Sequence, residues 1–317
     1  MGKINIGIIG LGAVGERLLK QFTAHPETNV TAVSDVNVAR LEEMKRDLPE
    51  ASTYTDYREL LQDKLVDLVY VAVPPKFHHP IVVDVLKAGK HVLCEKPLAN
   101  SLEEAKEMLE LAETAGVVHA INFPLPYSNP VEVLEEKIRG GYIGNLKRVE
   151  LTMQFPTWPR EWQQNPWIAG REQGGFVREI TPHYIQLMHQ LFGAVKNIHT
   201  YIEYPENEAQ CETGIIARME LENGVPILVD GLSGIGKKEE INFRMYGDKG
   251  VLSLLNWSVL TGSNLLEQEN VEIERENART GLIDELVKAI SGERAKLVTF
   301  KEGFAVQEVL EKLLELK

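Results

Sequence analysis

Ile4-Asn5-Ile6-Gly7-Ile8-Ile9-Gly10-Leu11-Gly12-Ala13-Val14-Gly15 is the stretch on which the reading of this chain turns. A β-branched run opens into glycines at G-x-G-x-x-G spacing, and residues 13–23 continue with helical periodicity, so the segment reads as strand, tight turn and helix. Gly10 permits the turn, Gly12 lets a pyrophosphate approach the backbone, and Gly15 lets the helix pack closely on the strand. The anion rests on the first-turn N–H groups, those of Ala13 and Val14 among them, and on the positive end of the helix dipole. Asp35 follows Gly15 by 20 residues, at the end of the next strand-like run, where a carboxylate accepts the adenine-ribose hydroxyls. That favours NAD, although Arg40 could swing toward a 2′-phosphate, so NADP is not excluded.

Working outward, the first third of the chain alternates short β-branched runs (residues 4–10, 30–34, 68–73, 91–94 and 117–121) with helical stretches (13–23, 37–47, 57–62, 79–88 and 102–114). This alternation predicts a doubly wound parallel sheet of the Rossmann kind, an α/β domain spanning residues 1–121. Ser101 with Glu104 forms a capping box, and Gly89 and Gly116 read as helix stops. Pro124, Pro126 and Pro130 then break the rhythm, placing a boundary near Asn122. Residues 122–317 carry a helix at 130–139, sequential strands at 146–155, 195–204, 213–220, 226–232, 241–246 and 251–255, a helix near 182–191, and closing helices at 282–290 and 303–316. That order predicts an α+β domain with a large open, mostly antiparallel sheet, whose closing helix can pack back on the first domain.

Composition narrows the function. The 317 residues hold 34 basic and 47 acidic side chains, a net charge of -13, with no clustered Lys and Arg of the kind phosphate neutralisation needs, so no nucleic-acid partner is expected. The apolar runs fall far short of the roughly 20 residues of a membrane span, and the opening residues lack a signal-peptide pattern. Cys94 and Cys211 are too few and too far apart for a disulfide framework or a zinc site, so no metal and a cytoplasmic location are expected.

A second constellation follows: Val73-Pro74-Pro75-Lys76-Phe77-His78, then Gly89-Lys90-His91-Val92-Leu93-Cys94-Glu95-Lys96-Pro97. These stretches resemble the glucose–fructose oxidoreductase / inositol 2-dehydrogenase / MocA family of NAD(P)-dependent oxidoreductases, which carries G-K-H-V-x-x-E-K-P after the fourth strand and P-x-x-x-H upstream. The resemblance implies cofactor contacts from Val73, Pro74, His78, Glu95 and Lys96, and a catalytic Lys96. It also implies a substrate domain whose open sheet serves as the interface of a homodimer or homotetramer. The residues themselves support Lys96: it follows an apolar strand at the carboxyl edge of a parallel sheet, where doubly wound folds bind ligands. An X-Pro bond, here Lys96-Pro97, can also adopt the cis form and fix the side chain's direction.

Gly174-Gly175-Phe176-Val177-Arg178-Glu179-Ile180-Thr181-Pro182-His183 resembles the family's G-G-x-x-x-D-x-x-x-H segment, implying that His183 transfers the proton. Glu179 stands in place of the family's Asp, Pro75 in place of a frequent Asn, and Phe123-Pro124-Leu125 where an Arg is frequent. On a helix Glu179 and His183 would share a face, but Pro182 fits a first turn best, which puts Glu179 ahead of the helix. Asn122 is carried over as a substrate contact. Trp158, Trp162 and Trp167, with Arg160 and Arg171 nearby, could wall a nicotinamide, stack on a sugar and hold an acidic group, or else form a local core or a subunit contact.

The expected chemistry is hydride transfer between nicotinamide and a secondary alcohol or ketone of a sugar, sugar acid or cyclitol. His183 acts as general base, Lys96 stabilises the alkoxide oxygen and Glu179 orients the imidazole. The alternatives are a non-catalytic dinucleotide-binding regulator on the same fold and a reductase of an imine or bilin-like substrate.

Overall fold

The computed structural model describes residues 2–163, 165–265, 271–272 and 281–315. The chain forms two compact units, Met1–Phe123 with Gly281–Gln307, and Pro124–Thr280 with Glu308–Lys317.

In the first unit the elements run β1 (Ile4–Ile9), α1 (Ala13–Ala24), β2 (Thr28–Ser34), α2 (Val38–Asp47), β3 (Ser52–Tyr54), α3 (Tyr57–Gln62), β4 (Leu68–Val71), α4 (His78–Lys87), β5 (His91–Cys94), α5 (Leu102–Ala115) and β6 (His119–Ile121). The six strands are all parallel and ordered β3-β2-β1-β4-β5-β6. The order reverses between β1 and β4, which opens a crevice at their carboxyl ends where such sheets bind ligands. Parallel strands covered on both faces are apolar throughout, and all four residues of β4 are buried. Ile6, Ile8, Leu18, Phe22 and Tyr70 share a core with Ile283, Leu286 and Val287 of α8 (Leu282–Ile290). Asp284 caps α8 at Gly281 and meets His25, beyond the end of α1, at 3.1 Å. The chain beyond α8 also reaches β6, since Ile121 N–H donates to the Val298 carbonyl at 2.8 Å. Lys90 of the G-K-H-V run is 9% exposed and its Nζ donates to the carbonyls of Asp63 and Val66, both at 2.8 Å, so this lysine secures the approach to β4.

The second unit contains α6 (Asn129–Arg139), β7 (Leu146–Phe155), α7 (Phe176–Phe192), β8 (Val195–Glu203), β9 (Gly214–Leu221), β10 (Pro226–Ser233), β11 (Glu240–Gly247), β12 (Gly250–Leu255), β13 (Val259–Asn264) and β14 (Val271–Glu272). Among the described residues the sheet has eight strands in the order β14-β13-β12-β11-β7-β10-β9-β8, antiparallel except for the parallel pair β10 and β7. Residues of β7 and β11 alternate between buried and partly exposed, the period of a sheet covered on one face. α7 lies on the buried face: Tyr184 packs on Phe243 with ring centroids 5.5 Å apart. α9 (Phe300–Leu313) runs from the first unit into the second.

Two expectations change. β3, β13 and β14 were not foreseen. α7 starts at Phe176 rather than near Pro182, so Glu179 lies in its first turn and Pro182 inside it. Proline removes one helical N–H donor; the Thr181 hydroxyl turns back to the Val177 carbonyl within the same stretch, and the helix continues.

Candidate active site

The residues expected to hold the cofactor belong to the first unit, whose sheet carries the crevice. Gly10 has φ +96°, and a Cβ there would meet the Ala72 carbonyl oxygen at 2.3 Å, whereas one on Gly15 would lie 2.1 Å from the Gly10 carbonyl oxygen. Only glycines allow so close an approach of loop, strand and helix. At Gly12 a Cβ would meet nothing within 4 Å, and no side chain caps α1. Its first-turn N–H groups, at Ala13 and Val14, are thus placed for an anion, and the residues present fit a dinucleotide pyrophosphate. Asp35 braces the loop. Its carboxylate accepts from Leu11 N–H at 2.7 Å and from Asn37 N–H at 2.8 Å, and retains lone pairs for hydroxyls.

Arg40 is held back from a phosphate. Its guanidinium donates to the Leu11 carbonyl at 3.2 and 3.3 Å, to Glu16 at 2.8 Å and to Glu43. Lys20 and Arg40 hold the Glu16 carboxyl below the usual carboxylate range despite partial desolvation.

The E-K-P element follows β5 directly. Glu95 continues the β5 ladder through its N–H to the Val71 carbonyl, and Asn122 continues β6 through its own to the Cys94 carbonyl. The buried Glu95 carboxylate accepts from Tyr70 Oη at 2.5 Å and from Asn122 Nδ2 at 2.6 Å. Three neighbouring strands therefore converge on one carboxylate. Burial and the adjacent Glu95 push the Tyr70 phenol well above its ordinary pKa, keeping it a donor. Asn122, expected to face substrate, is turned inward to Glu95 and is 4% exposed. Lys96 follows as a half-buried side chain on a cis Lys96-Pro97 peptide.

His78, expected at the cofactor, is fully buried between two backbone carbonyls, with Nδ1 2.9 Å from the Pro97 carbonyl oxygen and Nε2 2.8 Å from that of Val73. It clips the Val73-Pro74 loop to the Lys96-Pro97 turn. Burial lowers its pKa, opposed by those two carbonyls and by Glu95. Val73 and Pro74 themselves remain partly exposed.

The residues expected to handle the proton belong to the other unit. Glu179 and His183, four apart on α7, project from one side of it. The His183 ring meets Trp257 edge-on, centroids 5.1 Å apart and planes at 88°. Trp257 and its neighbour Asn256 take φ +72° and +46°, left-handed conformations that cost non-glycine residues of order 1–3 kcal/mol and collect at functional sites. A lone tryptophan in a β12–β13 turn carried no sequence signal.

The tryptophan loop resolves into a local core with one open member. Arg160 donates from Nε and Nη2 to Glu239 at 2.8–3.0 Å and lies over the rings of Phe155, Trp158 and Trp162. It is committed to that carboxylate rather than open to an acidic ligand. Trp158 packs edge-on against Phe155 and Phe176, Trp167 is half-buried, and Trp162 is 66% exposed.

A glycine-turn cradle on a six-stranded parallel sheet, in a chain whose other unit carries a mixed open sheet, defines a protein with a dinucleotide-binding Rossmann fold. The chain belongs to the Gfo/Idh/MocA oxidoreductase family: residues 4–123 match its NAD-binding Rossmann-fold model and residues 135–315 its C-terminal alpha/beta model. It is similar to the myo-inositol 2-dehydrogenase of Thermotoga maritima, 31% identical over 190 residues, which is 60% of this chain and 55% of that protein. The matched region is thus little more than half the length of that relative. D-glucoside 3-dehydrogenase of Escherichia coli is 23% identical over 98% of this chain and 95% of its own. Among solved structures, levoglucosan dehydrogenase in complex with NADH and L-sorbose superposes with a TM-score of 0.85 at 19% identity, covering 99% of this chain and 96% of that one. The WlbA dehydrogenase of Bordetella pertussis, in complex with NADH and UDP-GlcNAcA, gives 0.84 at 19% identity with the same coverage.

Proposed function

We propose that the protein is an NAD-dependent dehydrogenase that interconverts a secondary alcohol and a ketone on a sugar, sugar acid or cyclitol. The observation that carries this reading is the placement of Lys96 just past β5, on the carboxyl edge of the sheet that holds the glycine cradle. The dehydrogenase names of the relatives and the sugar ligand of one structural neighbour support the substrate class. NAD held by the Gly10–Gly15 turn and Asp35 would supply the acceptor for the hydride that leaves the alcohol carbon. His183 takes the hydroxyl proton, Lys96 donates a hydrogen bond to the same oxygen as its alkoxide character grows, and Glu179 orients the imidazole; the C=O bond forms as C–H and O–H break.

The test is NADH appearance, by absorbance, across polyols, sugar acids and cyclitols, with cyclic imines offered in the reverse direction. Oxidation of a member of the first three classes is expected. Turnover of an imine alone would reassign the substrate, and NADH binding with no turnover of any compound would favour a regulator.

NAD is preferred over NADP because Asp35 repels a 2′-phosphate while Glu16 and Glu43 tether the nearest arginine. In the double variant Glu16→Gln/Glu43→Gln, Arg40 loses both carboxylates while keeping the Leu11 carbonyl, and NADPH binding tightens about tenfold, the worth of one charge-assisted hydrogen bond. NADH affinity stays level, both read by tryptophan quenching. Equal NADPH affinity in variant and wild type would dismiss the tether.

The family's sheet interface finds support in the second unit, where Tyr201 and Ile216 face each other across β8 and β9 and are 65% and 61% exposed. A homodimer or homotetramer through this face dissociates on Ile216→Glu, and an unchanged sedimentation coefficient would refute that interface. Among the described residues no helix is long and apolar enough to cross a membrane. Cys94 and Cys211 are both buried free thiols, which suits a reducing cytoplasm.

A further inference from the structure

We infer that Glu212 is a positioning residue for Glu179 and His183, a cap supplied from outside the helix that sets the first turn of α7 and through it the placement of those two side chains. The N-cap of α7 is Gly175, which has no side chain to satisfy the opening N–H groups and sits at φ +100°. Helix starts normally use an Asp, Asn, Ser or Thr oxygen at the N-cap to accept from the second or third N–H. Here that oxygen comes from a residue 35 positions away: Glu212 Oε1 accepts from Val177 N–H at 2.7 Å. The fit is reciprocal, since a Cβ on Gly175 would lie 2.2 Å and 2.5 Å from the two Glu212 carboxyl oxygens. The bare glycine thus leaves the space that the carboxylate fills.

Glu212 is 3% exposed. The charged and titratable groups around it are Arg178 on α7, Arg171 in the preceding loop, Tyr204 after β8 and its own neighbour Cys211. Arg178 is itself 2% exposed and feels Glu311 and Glu179 as well. Burial pushes the Glu212 carboxyl up to about 7, against the Val177 N–H and the two arginines, which favour its charge. The negative charge that best complements the helix dipole is therefore gained or lost within the neutral range.

The test is amide hydrogen exchange of the peptide spanning residues 174–183 at matched pH between 6 and 8, a readout independent of any substrate. Expected is at least tenfold faster exchange in Glu212→Ala than in wild type. Glu212→Gln, whose amide oxygen still accepts from Val177, restores protection but loses the pH dependence that wild type shows relative to it. NADH binds all three alike within twofold. With a substrate from the screen, kcat falls about tenfold in Glu212→Ala with little change in KM for NAD. The inference rests on the proposed role of His183 only in this last measurement, so absence of any turnover would count against the dehydrogenase reading and leave exchange to judge Glu212. Equal exchange in wild type and Glu212→Ala at every pH would overturn the cap. A substrate turned over at the wild-type rate by Glu212→Ala would overturn its positioning role.

Discussion

Lys96→Met lowers kcat about a thousandfold while NADH binding persists, the range expected when a single donor to a developing oxyanion is removed. The size of the effect follows from where the lysine stands. Glu95, immediately before it, is fixed by Tyr70 and Asn122 from the two flanking strands, and Pro97, immediately after it, meets the buried His78 through its carbonyl. The backbone on both sides of Lys96 is thus held, so the ammonium is aimed before substrate arrives. Methionine keeps most of the side-chain volume and loses only the donor and the charge. NADH titration by tryptophan fluorescence together with steady-state rates separates binding from chemistry. Wild-type turnover in the variant would remove Lys96 from the mechanism.

The second large effect is at Asp35. Asp35→Ala weakens NADH binding about a hundredfold: two hydroxyl hydrogen bonds to a charged acceptor are lost, worth about 1.5 kcal/mol each. The loop also loosens, because Leu11 and Asn37 lose the acceptor for their N–H groups. Asp35→Asn separates these contributions, since its amide oxygen can still accept from one backbone N–H. Equilibrium titration of the three proteins ranks them wild type, Asn, Ala in falling affinity. Indistinguishable affinities would place the ribose elsewhere.

Much of the fold was legible because the patterns that specify it are local. The glycine spacing and the apolar runs marked β1, α1, β4 and β5, and the strand expected at 146–155 is β7 over the same residues. β3 was missed because three residues cannot display a period. The start of α7 was missed because a proline favours the first turn of a helix, whereas Pro182 sits inside a buried one. Lys96 and His183 stood out through motifs, whereas the partners that hold the site did not. Tyr70, Glu95 and Asn122 meet only once β4, β5 and β6 align. Glu212 reaches α7 across 35 residues with no periodicity to announce it. Arg160 and Asn122 have side chains suited to a ligand, yet the fold spends both on carboxylates of its own, a choice that composition and spacing do not encode.

The NAD-binding unit draws on two distant stretches of chain, Met1–Phe123 and Gly281–Gln307. On a ribosome that separation is a delay: at about 5–20 residues per second, on the order of ten seconds or more pass between emergence of the two parts. During that interval the surface that will receive Ile283, Leu286 and Val287 is uncovered, and the backbone of Ile121 lacks its partner at Val298. The dinucleotide domain, first to be translated, is thereby among the last to be completed.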